Sequence, residues 1–97
     1  MRIYSRSTLR RFWSKHPDAE QPLRAWFAEA RKAKWERPSD IKALHRSASF
    51  VGDDRVVFNI GGNKYRLVVH FSYRFKTALI KFVGTHEEYD GINAGTV

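Results

Sequence analysis

Two runs of alternating residues on either side of a glycine pair set the strongest limit on what this chain can form. Arg55-Val56-Val57-Phe58-Asn59-Ile60 and Lys64-Tyr65-Arg66-Leu67-Val68-Val69-His70-Phe71 flank Gly61-Gly62-Asn63. Successive side chains on a strand point to opposite faces, and a Gly-Gly-Asn junction supplies the positive φ angles that tight hairpin turns demand. A β-hairpin is required here. Thr77-Ala78-Leu79-Ile80-Lys81-Phe82-Val83 reads as a further strand after a turn at Tyr73-Arg74-Phe75-Lys76, and Arg2-Ile3-Tyr4 as a short opening one.

Between that opening strand and Ser49 the pattern is helical. Ser7 is placed to cap a helix that runs through Trp13 and stops at His16-Pro17, because proline cannot continue it. A second helix is expected from about Ala19 to Lys34. Its Leu23, Trp26, Phe27 and Ala30 recur at i, i+3, i+4 and i+7, one apolar stripe for the core, with Arg24, Arg31 and Lys32 pointing away. Arg37-Pro38-Ser39-Asp40 breaks it, leaving one short turn at Ile41 to Leu44. After the last strand, Thr85 is placed to cap a short helix from Glu87 to Ile92, and Asn93 to Val97 reads as frayed. The order β-α-α-β-β-β-α predicts an α+β fold, an antiparallel sheet with its helices on one face. With 97 residues, the chain is expected to be one domain, 1–97.

Charge narrows the function. The formal net charge is +8 and the pI about 10.2, which favours polyanionic partners. Residues 1–46 hold twelve Lys/Arg against five Asp/Glu, and residues 47–97 six against five. That split suggests a broad docking surface on the helical half and a separate site with selected charges. Without cysteine there is neither a disulfide framework nor a thiolate zinc site. No long apolar run or secretory signal is present, so a soluble, cytoplasmic protein without membrane contact is expected.

Alternation sorts Phe58, Ile60, Tyr65, Leu67, Val69, Phe71, Ala78, Ile80 and Phe82 to the helix-packed face. Asn59, Arg66, His70 and Lys81 sort to the open one. If Tyr73 pairs with Lys76, Val68 lies opposite Lys81, and Arg66 is a diagonal neighbour of Lys81. His86 and Tyr89 follow at a spacing that puts both on one helical face. A phosphate would turn the mutual repulsion of Arg66 and Lys81 into binding. RNA can be cut by its own 2′-OH, given a base, an acid for the leaving 5′-oxygen and cations on the developing charge. His86 and Tyr89 can move the protons, and Arg66 and Lys81 can hold the phosphate. This needs neither metal nor other cofactor, and no carboxylate or histidine cluster suggests one. Lys64, His70, Arg74 and Lys76, with Arg24, Arg31 and Lys32 on the second helix, are the further candidates for RNA contact.

Three segments are similar to those of HigB-type toxins in the RelE/ParE superfamily of toxin–antitoxin modules. They are Ser47-Ala48-Ser49-Phe50-Val51, the hairpin from Arg55 to Val69 with its Asn59-Ile60-Gly61-Gly62-Asn63 core, and Gly84-Thr85-His86-Glu87-Glu88-Tyr89-Asp90. The resemblance implies a RelE-like fold and a ribosome-dependent mRNA endonuclease that enters the ribosomal A site. It also implies a HigA-type helix-turn-helix antitoxin as partner, with operator DNA touched only through that complex. Arg66, Lys81, His86 and Tyr89 fall where relatives keep phosphate-binding and proton-transfer groups. Three rivals stay open: a ParE-like gyrase poison, which has no need of the His86/Tyr89 pair, a non-catalytic RNA- or ribosome-binding module, and a structural protein in which Arg66 and Lys81 are merely solvated.

Overall fold

The computed structural model describes residues 1–97. In chain order it contains β1 (Arg2–Tyr4), α1 (Arg6–Lys15), a 3-10 turn (Pro17–Ala19), α2 (Glu20–Lys32) and α3 (Pro38–Leu44). Then come β2 (Ser49–Val51), β3 (Arg55–Ile60), β4 (Tyr65–Ser72), β5 (Thr77–Thr85) and α4 (His86–Asp90). The hairpin forms as expected: Ile60 pairs with Tyr65, and Gly61 and Gly62 take φ of 63° and 71° in the turn, where a Cβ would be strained.

The sheet departs from expectation in three ways. It has five strands in the order β1-β5-β4-β3-β2, the extra one being the short β2. It is mixed rather than antiparallel, because β1 lies parallel to β5 with Ile3 beside Ala78. α1 and α2 lead back over the sheet between these segments, and such a crossover allows parallel pairing where a hairpin cannot. Finally, the helices do not share one face. The principal core, which includes Leu9, Leu23, Trp26, Ile41, Phe58 and Leu67, lies under α1 to α3. A second, smaller cluster on the reverse face joins Val57 and Val68 to Phe82, Tyr89, Ile92, Ala94 and Val97. The segment after α4 is thus packed on the sheet rather than frayed; Arg55 Nη2 donates to the Val97 carbonyl oxygen at 3.2 Å.

Helix limits shift for local reasons. α1 opens at Arg6, after Ser5 in a left-handed conformation, so Ser7 lies inside the first turn and does not cap it. α2 stops at Lys32 because Ala33 turns extended, its N–H still bonded to Glu29 and Ala30 carbonyls. Pro38 starts α3 rather than only breaking a helix, as its missing N–H costs nothing in a first turn.

One residue in β5 decides how the two faces are filled. From Ser72–Thr77 to Val69–Ile80 the ladder follows the expected register, but the next pair is Val68 with Phe82. Lys81 is the additional residue of a β-bulge, not the direct partner of Val68. A bulge shifts the alternation beyond it. Phe82, expected in the principal core, therefore packs in the reverse-face cluster, and Val83 packs against the principal core.

Candidate active site

Beyond the bulge, β4 and β5 pair Arg66 with Gly84 and Tyr65 with Thr85. Gly84 is held as glycine by packing: a Cβ there would sit 2.5 Å from Cζ of Phe82 and 3.1 Å from Oε1 of Glu88. The chain then turns into α4 through a capping box. Thr85 Oγ1 accepts from the Glu88 N–H at 3.1 Å, and Glu88 Oε1 accepts from the Thr85 N–H at 2.8 Å. The bond from the Thr85 N–H holds the Glu88 carboxyl below its ordinary range; partial burial opposes this, and His16 and Lys15 nearby add to it.

This turn aims α4 across the reverse face. The Arg66 guanidinium lies 6.0 Å from the centre of the Tyr89 ring, while its Nη1 donates to the carbonyls of Asn63 at 3.1 Å and Tyr65 at 3.3 Å. Those bonds leave the outer edge of the guanidinium fork for an anion. His86 is exposed one turn before Tyr89, and its Nδ1 stands 3.4 Å from Asp90 Oδ2. A carboxylate at Nδ1 orients the ring and leaves Nε2 for chemistry. Arg66 and Tyr89 thus meet at one end of the reverse face, with His86 one helical turn before Tyr89 on α4. Lys81 is the half-buried extra residue of the bulge, next to Phe82 in the chain rather than opposite Val68.

The other candidates for RNA contact fall in three separate places. Lys64 leaves the hairpin turn toward the helical layer, where Asp18 takes both its ammonium and the Tyr65 hydroxyl. The hydrogen bond from Lys64, then that from Tyr65, keeps the Asp18 carboxyl low, and the same contacts raise Lys64 and Tyr65. His70, Arg74 and Lys76 lie toward the far end of the sheet. His70 Nε2 is 3.8 Å from Asp53, which also binds Arg55, and Lys76 Nζ donates to the Trp35 carbonyl at 3.3 Å. Arg24, Arg31 and Lys32 line a cleft of about 400 Å³ between α1 and α2, together with Arg6, Trp13 and Phe27. Arg24 is already bonded to Glu20 at 2.8 Å, and it lies over the Trp13 ring.

A family model described as HigB_toxin, RelE-like toxic component of a toxin-antitoxin system, matches residues 19–92. This chain belongs to that family. Among its relatives, the mRNA interferase toxin HigB of Escherichia coli (strain K12) is 29% identical over 96 residues, covering 97% of this chain and 92% of the relative. The proteins named mRNA interferase HigB from Escherichia coli O157:H7 and Shigella flexneri match to the same extent. The HigB_toxin match takes in the hairpin, the bulged strand and α4, so every residue of the Arg66–Tyr89–His86 group and Lys81 lies within it.

The fold also brings together residues that no sequence pattern had linked to this end of the sheet. His16, legible only as the residue before Pro17, stacks on Phe12 with ring centres 4.4 Å apart and meets the edge of Tyr65 at 5.6 Å. It closes the C-terminus of α1 beside Glu88 of α4.

Proposed function

We propose that this chain is a growth-arresting mRNA interferase that cuts messages during translation, by attack of the RNA's own 2′-OH on the adjacent phosphorus. The observation that carries the reading is Arg66 over the Tyr89 ring with His86 one helical turn away. The arrangement offers a planar cation for a phosphate and two proton-transferring groups on one small face. In the step, a base accepts the 2′-OH proton as the new O–P bond forms. The bond from phosphorus to the 5′-oxygen breaks, and an acid protonates the leaving oxygen. The products are a 2′,3′-cyclic phosphate and a 5′-hydroxyl. His86 and Tyr89 are the proton carriers, and Arg66 and Lys81 balance the charge that grows on the phosphorane oxygens. No metal enters this chemistry.

His86 and Tyr89 stand on the rim, and Arg66 is only half-buried, so the site has no walls to orient a flexible RNA. Orientation can account for much of a barrier, and the ribosomal A site would supply it. The excess of basic residues in the helical half suits docking on ribosomal RNA. Neutralisation falls to a HigA-type helix-turn-helix antitoxin, and operator DNA is met through that complex, in the cytoplasm. The test maps mRNA 5′ ends after brief induction of the wild type and His86→Ala in translating cells. New ends at codon-related positions in the wild type alone support the reading. Growth arrest without new ends would refute it and move the target to gyrase or to a blocked ribosome.

A further inference from the structure

α4 has two flanks, and the site described above uses one of them. Side chains one residue apart on a helix diverge by about 100°. Tyr89 therefore turns to the reverse face with Arg66, while Glu88 turns to a cleft on the helical side. That cleft, of about 350 Å³, is walled by the C-terminal half of α1, by Val83 of β5 and by Glu88. Arg11, Lys15 and His16 line it with the hydroxyl-bearing Thr8 and Ser14, and Phe12 and Val83 are its only apolar members.

Four observations bear on whether this cleft can hold an anion. Neither Arg11 nor Lys15 forms an ion pair, whereas Lys64 is held by Asp18, Arg24 by Glu20 and Arg55 by Asp53. The Arg11 guanidinium is steered by two long bonds, each 3.4 Å, from Nη1 to Ser7 Oγ and from Nη2 to Thr8 Oγ1. The His16 ring is fixed by stacking on Phe12, so its orientation is set before any ligand arrives. The one carboxylate present, Glu88, is engaged by the Thr85 N–H but stays charged and offsets part of the field of His16 and Lys15, which leaves Arg11 without a carboxylate partner.

We infer that the Arg11–Lys15–His16 cleft is a second phosphate subsite, holding the backbone of single-stranded RNA one flank of α4 away from Arg66 and Tyr89. The inference rests on the RNA-cutting reading for its ligand. A strand crossing α4 would place one phosphate against Arg66 and a neighbouring one against Arg11 and Lys15. The mostly polar lining suits a sugar-phosphate backbone better than an apolar side chain of a protein partner.

The experiment measures binding without cutting. Affinity for a short single-stranded oligoribonucleotide, 2′-O-methylated throughout so that no 2′-OH can attack, is followed by fluorescence anisotropy across a salt series. Each phosphate contact on a single strand contributes about 0.7 to the slope of log K against log salt. Arg11→Ala/Lys15→Ala removes the one phosphate contact of this subsite and should flatten the wild-type slope by about 0.7, with an unchanged far-ultraviolet circular dichroism spectrum. The control Arg37→Ala/Arg46→Ala removes two exposed cations near α3 and should leave the slope nearly unchanged. A wild-type slope in the cleft variant, an equal loss in the control, or no wild-type binding to this RNA would each overturn the subsite. A flattened slope alongside failure of the 5′-end experiment would keep the subsite and refute only the cutting.

Discussion

Deleting Lys81 should leave the fold standing while removing the cutting activity. The reason lies in the ladder. Val69 pairs with Ile80 and Val68 with Phe82, so Lys81 is the one residue between two consecutive pairs. Without it, Phe82 would follow Ile80 in a regular register, with Ile80 and Val83 still on the principal core and Phe82 and Gly84 still on the reverse face. β1 pairs only with Thr77 to Leu79, before the bulge, and is untouched. The change is confined to local twist, and we expect it to cost no more than about 1 kcal/mol, toward the mild end of single-site effects. If the bulge instead held the strand together, deletion would turn Phe82 and Val83 to the wrong faces. Misplacing two large apolar side chains would cost about 3–6 kcal/mol at 1.5–3 kcal/mol each. The two cases are well separated by urea unfolding. A deletion variant with a cooperative transition and a nearly unchanged midpoint fits the bulge as a device for presenting a lysine. A loss of 3 kcal/mol or more would refute that reasoning. Lys81→Ala keeps the bulge and lacks the ammonium, so both variants should lose cutting in the 5′-end assay; cutting retained in either would remove Lys81 from the site.

Gly84→Ala should destabilise the protein by about 1–3 kcal/mol, as overpacking commonly does, because its Cβ would meet the Phe82 ring at 2.5 Å. Thermal melts of Gly84→Ala with and without Phe82→Leu check the cause: equal losses in both backgrounds would mean that the ring is not responsible. The Glu88 carboxyl is lowered in the folded state, so its contribution to stability is full above its unfolded value near 4.5 and is lost as pH falls through the lower folded one. Glu88→Gln keeps an amide able to complete the capping box but has no charge to lose. Its unfolding midpoint should decline less than the wild type's between neutral and strongly acidic pH, and parallel curves would count against the cap.

Much of this architecture is legible because its signals are local. The glycine pair fixes a turn, the stripe through Leu23, Trp26 and Ala30 sets the buried side of α2, and Thr85 followed by Glu88 marks a capping box. The bulge is not legible. Ile80-Lys81-Phe82-Val83 reads as plain alternation, and both Phe82 and Val83 are apolar, so either could belong to the core. The parallel pairing of β1 is silent too, since nothing in Arg2-Ile3-Tyr4 encodes the direction of a neighbour. Within the candidate site, the approach of Arg66 and Tyr89 follows from strand alternation and helical spacing. The position of Lys81 depends on the bulge, and that of His16 on the tertiary stacking of Phe12 and Tyr65.

The segment from Gly91 to Val97 has a part in the site that its composition conceals. A helix of five residues has no independent stability in water, since nucleation costs more than its few hydrogen bonds return. α4 is held by its capping box at one end and, beyond it, by Ile92, Ala94 and Val97 packed on Val57, Val68 and Phe82. Tyr89 belongs to that same cluster, so the residues that anchor the tail also fix the ring beneath the Arg66 guanidinium. Phe82 can contribute there only because the bulge at Lys81 turns it away from the principal core. One inserted residue thus turns Phe82 into the apolar floor on which α4 rests. This coupling lets a helix of only five residues hold Tyr89 against Arg66.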